Sequence, residues 1–200
     1  MNLIHLLTIP LLVVSFSGRP ISETKNDVVN TKKIELSVID KRETAEEIPW
    51  IAERRLTWED YHCDPIRNTD AVASTSTSLG ISYQVINSQL TYHITCGFSK
   101  VKSWGLVKTN YILAHEQGHF DITEIFARKL YEALQNYNFN RRTFRKDINE
   151  IYQSVVREKE DFQEMYDGET DHSRNRKIQN EWLDRIDDLL NQTEGFSNYP

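Results

Sequence analysis

The stretch Thr109–Tyr137, TNYILAHEQGHFDITEIFARKLYEALQNY, decides how the rest of the chain is read. With Ile112 at zero on a wheel of 100° per residue, His119, Thr123, Phe126, Leu130 and Leu134 fall within about 40° of it. The period is helical and the stripe faces a core. Asp121, Glu124 and Arg128 fall on the opposite side, away from that core, and Glu124 precedes Arg128 at the favourable i,i+4 spacing. The helix is expected from about Thr109 to Tyr137.

Inside this helix HEQGH, His115–His119, matches H-E-x-x-H. Residues i and i+4 stand one turn apart on one face, so two imidazoles can converge on a single ion at about 2.0–2.1 Å from each nitrogen. Both lie on the stripe that carries Phe126 and Leu130, and buried imidazoles without a partner are costly, which makes a metal their natural partner. Glu116 sits one step round from His115. From there it can take a proton from a zinc-bound water, whose pKa falls toward about 7, as that water attacks a carbonyl. It can then deliver the proton to a leaving amine. These residues predict a zinc hydrolase with Glu116 as catalytic base.

A catalytic zinc takes three protein ligands and keeps one open position. Of the remaining histidines, His5, His62, His93 and His172, the last is the expected third ligand. It lies in YDGETDHS, Tyr166–Ser173, at a break between two later helices where the chain can turn back. Glu169 is the alternative. Tyr166 is expected to donate its phenol to the oxyanion of the transition state, or else to be an ordinary aromatic at the end of an amphipathic helix. Asp121, although close to His119, is on the wrong side of the wheel to ligate.

Upstream of the helix the period is two. Leu79, Ile81, Tyr83 and Val85 alternate with small or polar residues, as do Leu90, Tyr92, Ile94, Cys96 and Phe98, so two half-buried strands are expected. Asn87 and Ser88, between Ile86 and Gln89, can reverse the chain into an antiparallel hairpin. Downstream, one helical pattern runs from Phe144 to near Gly168 and another through Ile178, Trp182, Ile186 and Leu189. The expected fold class is α+β and zincin-like: an N-terminal antiparallel sheet, then an active-site helix, then two further helices.

The 200 residues fit one domain. The apolar run from Leu3 to Phe16, followed by Ser17 and Gly18, is too short to anchor in a bilayer. It reads as a signal peptide over 1–18, with a buried N-terminal segment as the alternative. Residues 19–49 are polar and mixed in charge and read as a disordered linker, leaving 50–200 for the metalloprotease domain. The expected location is secreted or periplasmic. A net charge of −6 and a pI near 5.5 give no electrostatic reason for nucleic acid or anionic membrane as partner. The partner expected is a peptide or protein substrate. Cys63 and Cys96 allow one disulfide in an exported chain, the alternative being that Cys96 is a buried strand residue.

The chain resembles a bacterial family of predicted secreted zinc-dependent proteases, a domain of unknown function with the HExxH motif. The resemblance is carried by Ser103 and Trp104, by LAHEQGHFDITEIFARKL from Leu113 to Leu130, and by YDGETDHS, and it extends from about Trp58 to Trp182. It implies His115 and His119 as ligands, Glu116 as base and functional weight on the segment containing His172, and it implies no substrate. The residues favour an endopeptidase whose substrate lies extended beside an edge strand. The alternatives are an amidase acting on cell-wall peptide crosslinks and a non-enzymatic exported module stapled by structural zinc.

Overall fold

The computed structural model describes residues 43–200. The expected signal peptide at 1–18, and the linker as far as residue 42, lie outside the described residues. Strands β3 (Thr77–Ile86) and β4 (Gln89–Ser99) pair antiparallel along their whole length, with Leu79 opposite Cys96, Ile81 opposite Ile94 and Tyr83 opposite Tyr92. The turn between them is Asn87 and Ser88, whose φ values of 51° and 64° are both left-handed. Two central residues of that kind give the hairpin turn whose twist matches the flanking strands. The hairpin is the one the alternating pattern predicts.

A short strand β1 (Glu47–Pro49) pairs with the other edge of β4, placing Ile48 opposite Phe98, and both side chains are fully buried. The folded chain therefore begins upstream of Trp50, the boundary the sequence suggests. A three-residue strand needs only one apolar residue to seat it, so the polar composition around Ile48 conceals it. The sheet order is β1-β4-β3, and β2 (Ala73–Ser74) forms a separate two-stranded ribbon with β5 (Trp104–Gly105).

Three helices follow, α1 (Asn110–Gln135), α2 (Phe144–Thr170) and α3 (Arg176–Gln192). Thr109 caps α1 by accepting from the Ile112 amide at 3.2 Å, and Asn175 caps α3 by accepting from Ile178 at 3.3 Å. The architecture is thus α+β, a small antiparallel sheet and three helices. Helix α1 is its centre, packed against β3 and β4 and against both α2 and α3. Phe98 and Phe120 meet at 5.9 Å between ring centroids, and Phe126 meets Phe162 edge-on at 5.7 Å, so one apolar core runs from sheet to helices.

Where the wheel places Asp121, Glu124 and Arg128 away from the core, the structure buries all three, at 4%, 1% and 4% exposure. Two segments outside the helix cover that side. The Trp50 indole donates to Asp121 Oδ1 at 2.8 Å, and Tyr199, near the chain's end, donates to Glu124 Oε2 at 2.6 Å. Arg128 donates from Nε to Glu124 Oε1 at 2.8 Å and from Nη1 to the Leu190 carbonyl at 2.7 Å. Periodicity locates one buried face, but it is blind to a second face buried by polar pairing. Cys63 and Cys96 are both free thiols, and Cys96 is the buried strand residue of the alternative reading. Among the described residues no helix is long and apolar enough to cross a membrane.

Candidate metal centre

Helix α1 sets His115 and His119 one turn apart on the side that meets the C-terminal part of α2, with ring centroids 4.9 Å apart. Opposite them α2 presents Asp167. Its Oδ1 lies 3.1 Å from Nε2 of His115 and 3.1 Å from Nε2 of His119. The three groups form a cluster whose ligand atoms all lie within 4.8 Å of one another. Tetrahedral ligands at about 2.0–2.1 Å from an ion stand roughly 3.3 Å apart, so the observed separations suit a shared cation. The donor set, two imidazoles and a carboxylate, is one that zinc accepts.

The electrostatics support the same fit. Burial pulls the His115 pKa down despite its hydrogen bond to Asp167. At His119 burial acts in the same direction, but the hydrogen bond and charge of Asp167 outweigh it and raise the pKa to about 9. The two imidazoles in turn outweigh burial at Asp167 and hold its carboxyl far below the ordinary carboxylate range. A positive charge between His119 and Asp167 is what this geometry favours, and in the metal-free protein a proton supplies it. Two polar atoms nearby, Nδ1 of His115 and Oε2 of Glu116, are buried without a hydrogen-bond partner. Buried polar groups without a partner are uncommon in packed interiors, and two stand here beside the cluster.

Behind the histidines stands Tyr166, fully buried. Its ring stacks on His115 at 4.5 Å with planes 20° apart, and its hydroxyl donates to the His115 carbonyl at 3.2 Å. Gly118 allows this approach, since a Cβ there would stand 2.5 Å from the Tyr166 hydroxyl oxygen. Burial, reinforced by nearby Glu116, pushes the phenol pKa upward and keeps it a neutral donor. Burial and the charge of Glu116 push the Tyr61 phenol upward as well.

The structure therefore brings together His115, His119 and Glu116, and it adds Asp167, which the sequence reading passes over. His172, the expected third ligand, is exposed, with Nδ1 3.7 Å from Asp167 Oδ1. It is Asp167 that stands within 3.1 Å of both Nε2 atoms, because it projects from the face of α2 that packs on α1, whereas His172 lies just past the helix end. Asp171, His172 and Ser173 are all left-handed, at φ 49°, 49° and 69°, and the His172 amide donates to the Asp167 carbonyl at 2.9 Å. Glu169, the alternative, turns toward α3 and accepts from the Trp182 indole at 2.7 Å. Tyr166, expected to face substrate, instead supports His115 from inside the core, which leaves its hydroxyl no path to an oxyanion.

A signal for Asp167 is present in the sequence. Gln163, Tyr166, Asp167 and Thr170 recur at i, i+3, i+4 and i+7, so the buried stripe of α2, apolar at Ile148 and Val155, turns polar in its last two turns. A polar stripe that continues an apolar one implies a polar partner across the interface.

Fold and centre together define an α+β domain with a candidate two-histidine, one-aspartate metal centre between its first two helices. The chain belongs to a bacterial protein family of unknown function, DUF922, which matches residues 64–173, more than half of its length. That span holds all three ligand candidates, Glu116 and His172. No curated protein and no solved structure matches the chain significantly.

Proposed function

We propose that this protein is a zinc-dependent hydrolase of zincin-like architecture that cleaves peptide bonds, with His115, His119 and Asp167 as ligands and Glu116 as general base. The observation that carries the reading is the approach of both Nε2 atoms to the single oxygen of Asp167, beside a glutamate with a buried, unpartnered carboxylate oxygen. Zinc bound there would polarise a substrate carbonyl and make water acidic enough to be deprotonated near neutral pH. His115 and His119 would hold the ion through their Nε2 atoms, and Asp167 would offset its charge. Glu116 follows His115 directly in the helix and so lies beside the ligands without occupying one of their places. It accepts the proton of the attacking water and passes it to the leaving amine. Tyr166 excludes water behind His115 and fixes the ring plane.

The substrate is a peptide or a peptide crosslink of the cell wall, and the export expected from residues 1–18 belongs to the same proposal. The separation of 3.7 Å between His172 and Asp167 favours a second reading, a closed structural site in which His172 supplies a fourth ligand. Zinc content and peptide hydrolysis of the wild type, Glu116→Gln, Asp167→Ala and His172→Ala separate the two. The enzyme reading expects Glu116→Gln to keep its zinc and lose roughly 10²–10⁴ of its rate, and Asp167→Ala to lose zinc. Undiminished hydrolysis by Glu116→Gln would overturn it. Zinc loss in His172→Ala, with no hydrolysis by the wild type, would establish the closed site.

A further inference from the structure

The two histidines are held in different ways. His115 Nδ1 is buried without a partner and its ring is positioned by stacking on Tyr166. His119 Nδ1 instead forms a short hydrogen bond with Oε1 of Gln163. The orientation of the Gln163 amide follows from its other contacts. Its Nε2 lies 3.0 Å from the His119 carbonyl, which can only accept, and 3.3 Å from Thr123 Oγ1. The Thr123 hydroxyl donates its own proton to that same carbonyl at 3.0 Å, so toward Gln163 it too can only accept. The nitrogen of the amide must therefore face the helix backbone and the oxygen must face the imidazole. An oxygen at that place requires a proton on His119 Nδ1. The other ring nitrogen, Nε2, lies 3.1 Å from Asp167 Oδ1, so without a metal it carries a proton as well, and a metal there would replace that proton and leave Nδ1–H in place.

We propose that Gln163 is a positioning residue of the metal centre, holding the Nδ1–H of His119 so that Nε2 is the ring nitrogen turned toward Asp167 and available to a metal. Gln163 and Asp167 are i and i+4 on α2, so one helical face supplies both a ligand and the group that orients another ligand. The Gln163 side chain also ties α2 to the backbone of α1 at His119, which fixes the distance across which the ion is shared. The inference rests on the metal reading above for its consequence, while the hydrogen bond from His119 Nδ1–H to Gln163 belongs to the metal-free protein as well.

The test uses Gln163→Met, which keeps the shape and loses the acceptor, and Gln163→Glu, which keeps the acceptor. Zinc affinity is measured by competition with a chromophoric chelator, and the His119 Nδ1–H hydrogen bond by ¹⁵N chemical shifts of the metal-free protein. Gln163→Met should bind zinc about 10–100-fold more weakly than the wild type and shift the Nδ1 resonance. Gln163→Glu should bind within a few-fold of the wild type or more tightly, with Nδ1 still protonated and hydrogen-bonded. Equal weakening in both variants, or a wild-type His119 without a proton on Nδ1, would overturn the proposal. If the wild type binds zinc no better than Asp167→Ala, the metal reading fails. The ¹⁵N shifts then still decide whether Gln163 holds the Nδ1 proton.

Discussion

The two sides of helix α1 bury charged and polar groups in opposite ways. On the side away from α2 each such group is paired. Asp121 accepts from the Trp50 indole and the Gln117 amide, both at 2.8 Å, and from Arg55 at 3.0 Å, while Gln117 accepts from the Leu56 amide at 2.7 Å. Glu124, Arg128 and Tyr199 form a second set of contacts one turn on. On the side facing α2 the pairing is left incomplete: two ring nitrogens address one carboxylate oxygen, and His115 Nδ1 and Glu116 Oε2 have no partner. The first arrangement stabilises the fold by itself. The second leaves polar atoms unsatisfied, and that difference separates a structural polar cluster from a candidate site.

Glu124→Ala is the sharpest way to break this contrast. It leaves the guanidinium of Arg128 buried without its carboxylate, and a loss of about 3–5 kcal/mol in denaturant unfolding is expected. Zinc affinity of the folded fraction should stay within a few-fold of the wild type. A parallel collapse of affinity would show that the two sides act as one unit.

A pH series sharpens the comparison from the other side. The His119 pKa of about 9 in the folded, metal-free protein lies above the ordinary value of 6.5. Its stabilising contribution is therefore complete below about pH 6.5 and is lost as the pH rises through about 9, with a slope of at most about 1.4 kcal/mol per pH unit for one proton. Zinc must displace that proton, so affinity should rise over the interval in which metal-free stability falls. Calorimetric titration near pH 7 in buffers of different ionisation enthalpy should show about one proton released. Release of none would remove His119 from the ligand set.

The smallest effect is expected at Gly118→Ala. The new methyl would displace the Tyr166 ring, costing roughly 1–3 kcal/mol in melting experiments. Because Tyr166 stacks on His115, zinc binding should weaken as well, in contrast to Glu124→Ala.

Much of this arrangement is legible in the sequence, and the gaps have physical causes. The 3.6 period fixes α1 and its inward stripe, and alternation with Asn87 and Ser88 fixes the hairpin, because in both cases neighbours along the chain are neighbours in space. The H-E-x-x-H spacing likewise places His115, Glu116 and His119 within one turn. Asp167 comes from a different helix some fifty residues later, and only the docking of α2 on α1 brings it to His119. His172 is the better ligand by residue type, but type carries no information about which side of a helix end faces inward. Strand β1 and the buried far side of α1 depend on long-range contacts of Ile48, Trp50 and Tyr199, none of which has a local pattern.

Because α1 has almost no face open to water, opening it requires the sheet, α2 and the covering segments to separate first. Its central amides should therefore exchange hydrogen only through unfolding of the whole domain, whereas those at the end of α2, beside the exposed Asp171 and His172, should exchange by local opening. The ligand pair His115 and His119 then sits in the most protected backbone of the domain, and Asp167 only one turn from its more labile end. If zinc binds at the candidate centre, chelating it should loosen the end of α2 and leave α1 intact, making its loss a local and reversible event and not the start of denaturation.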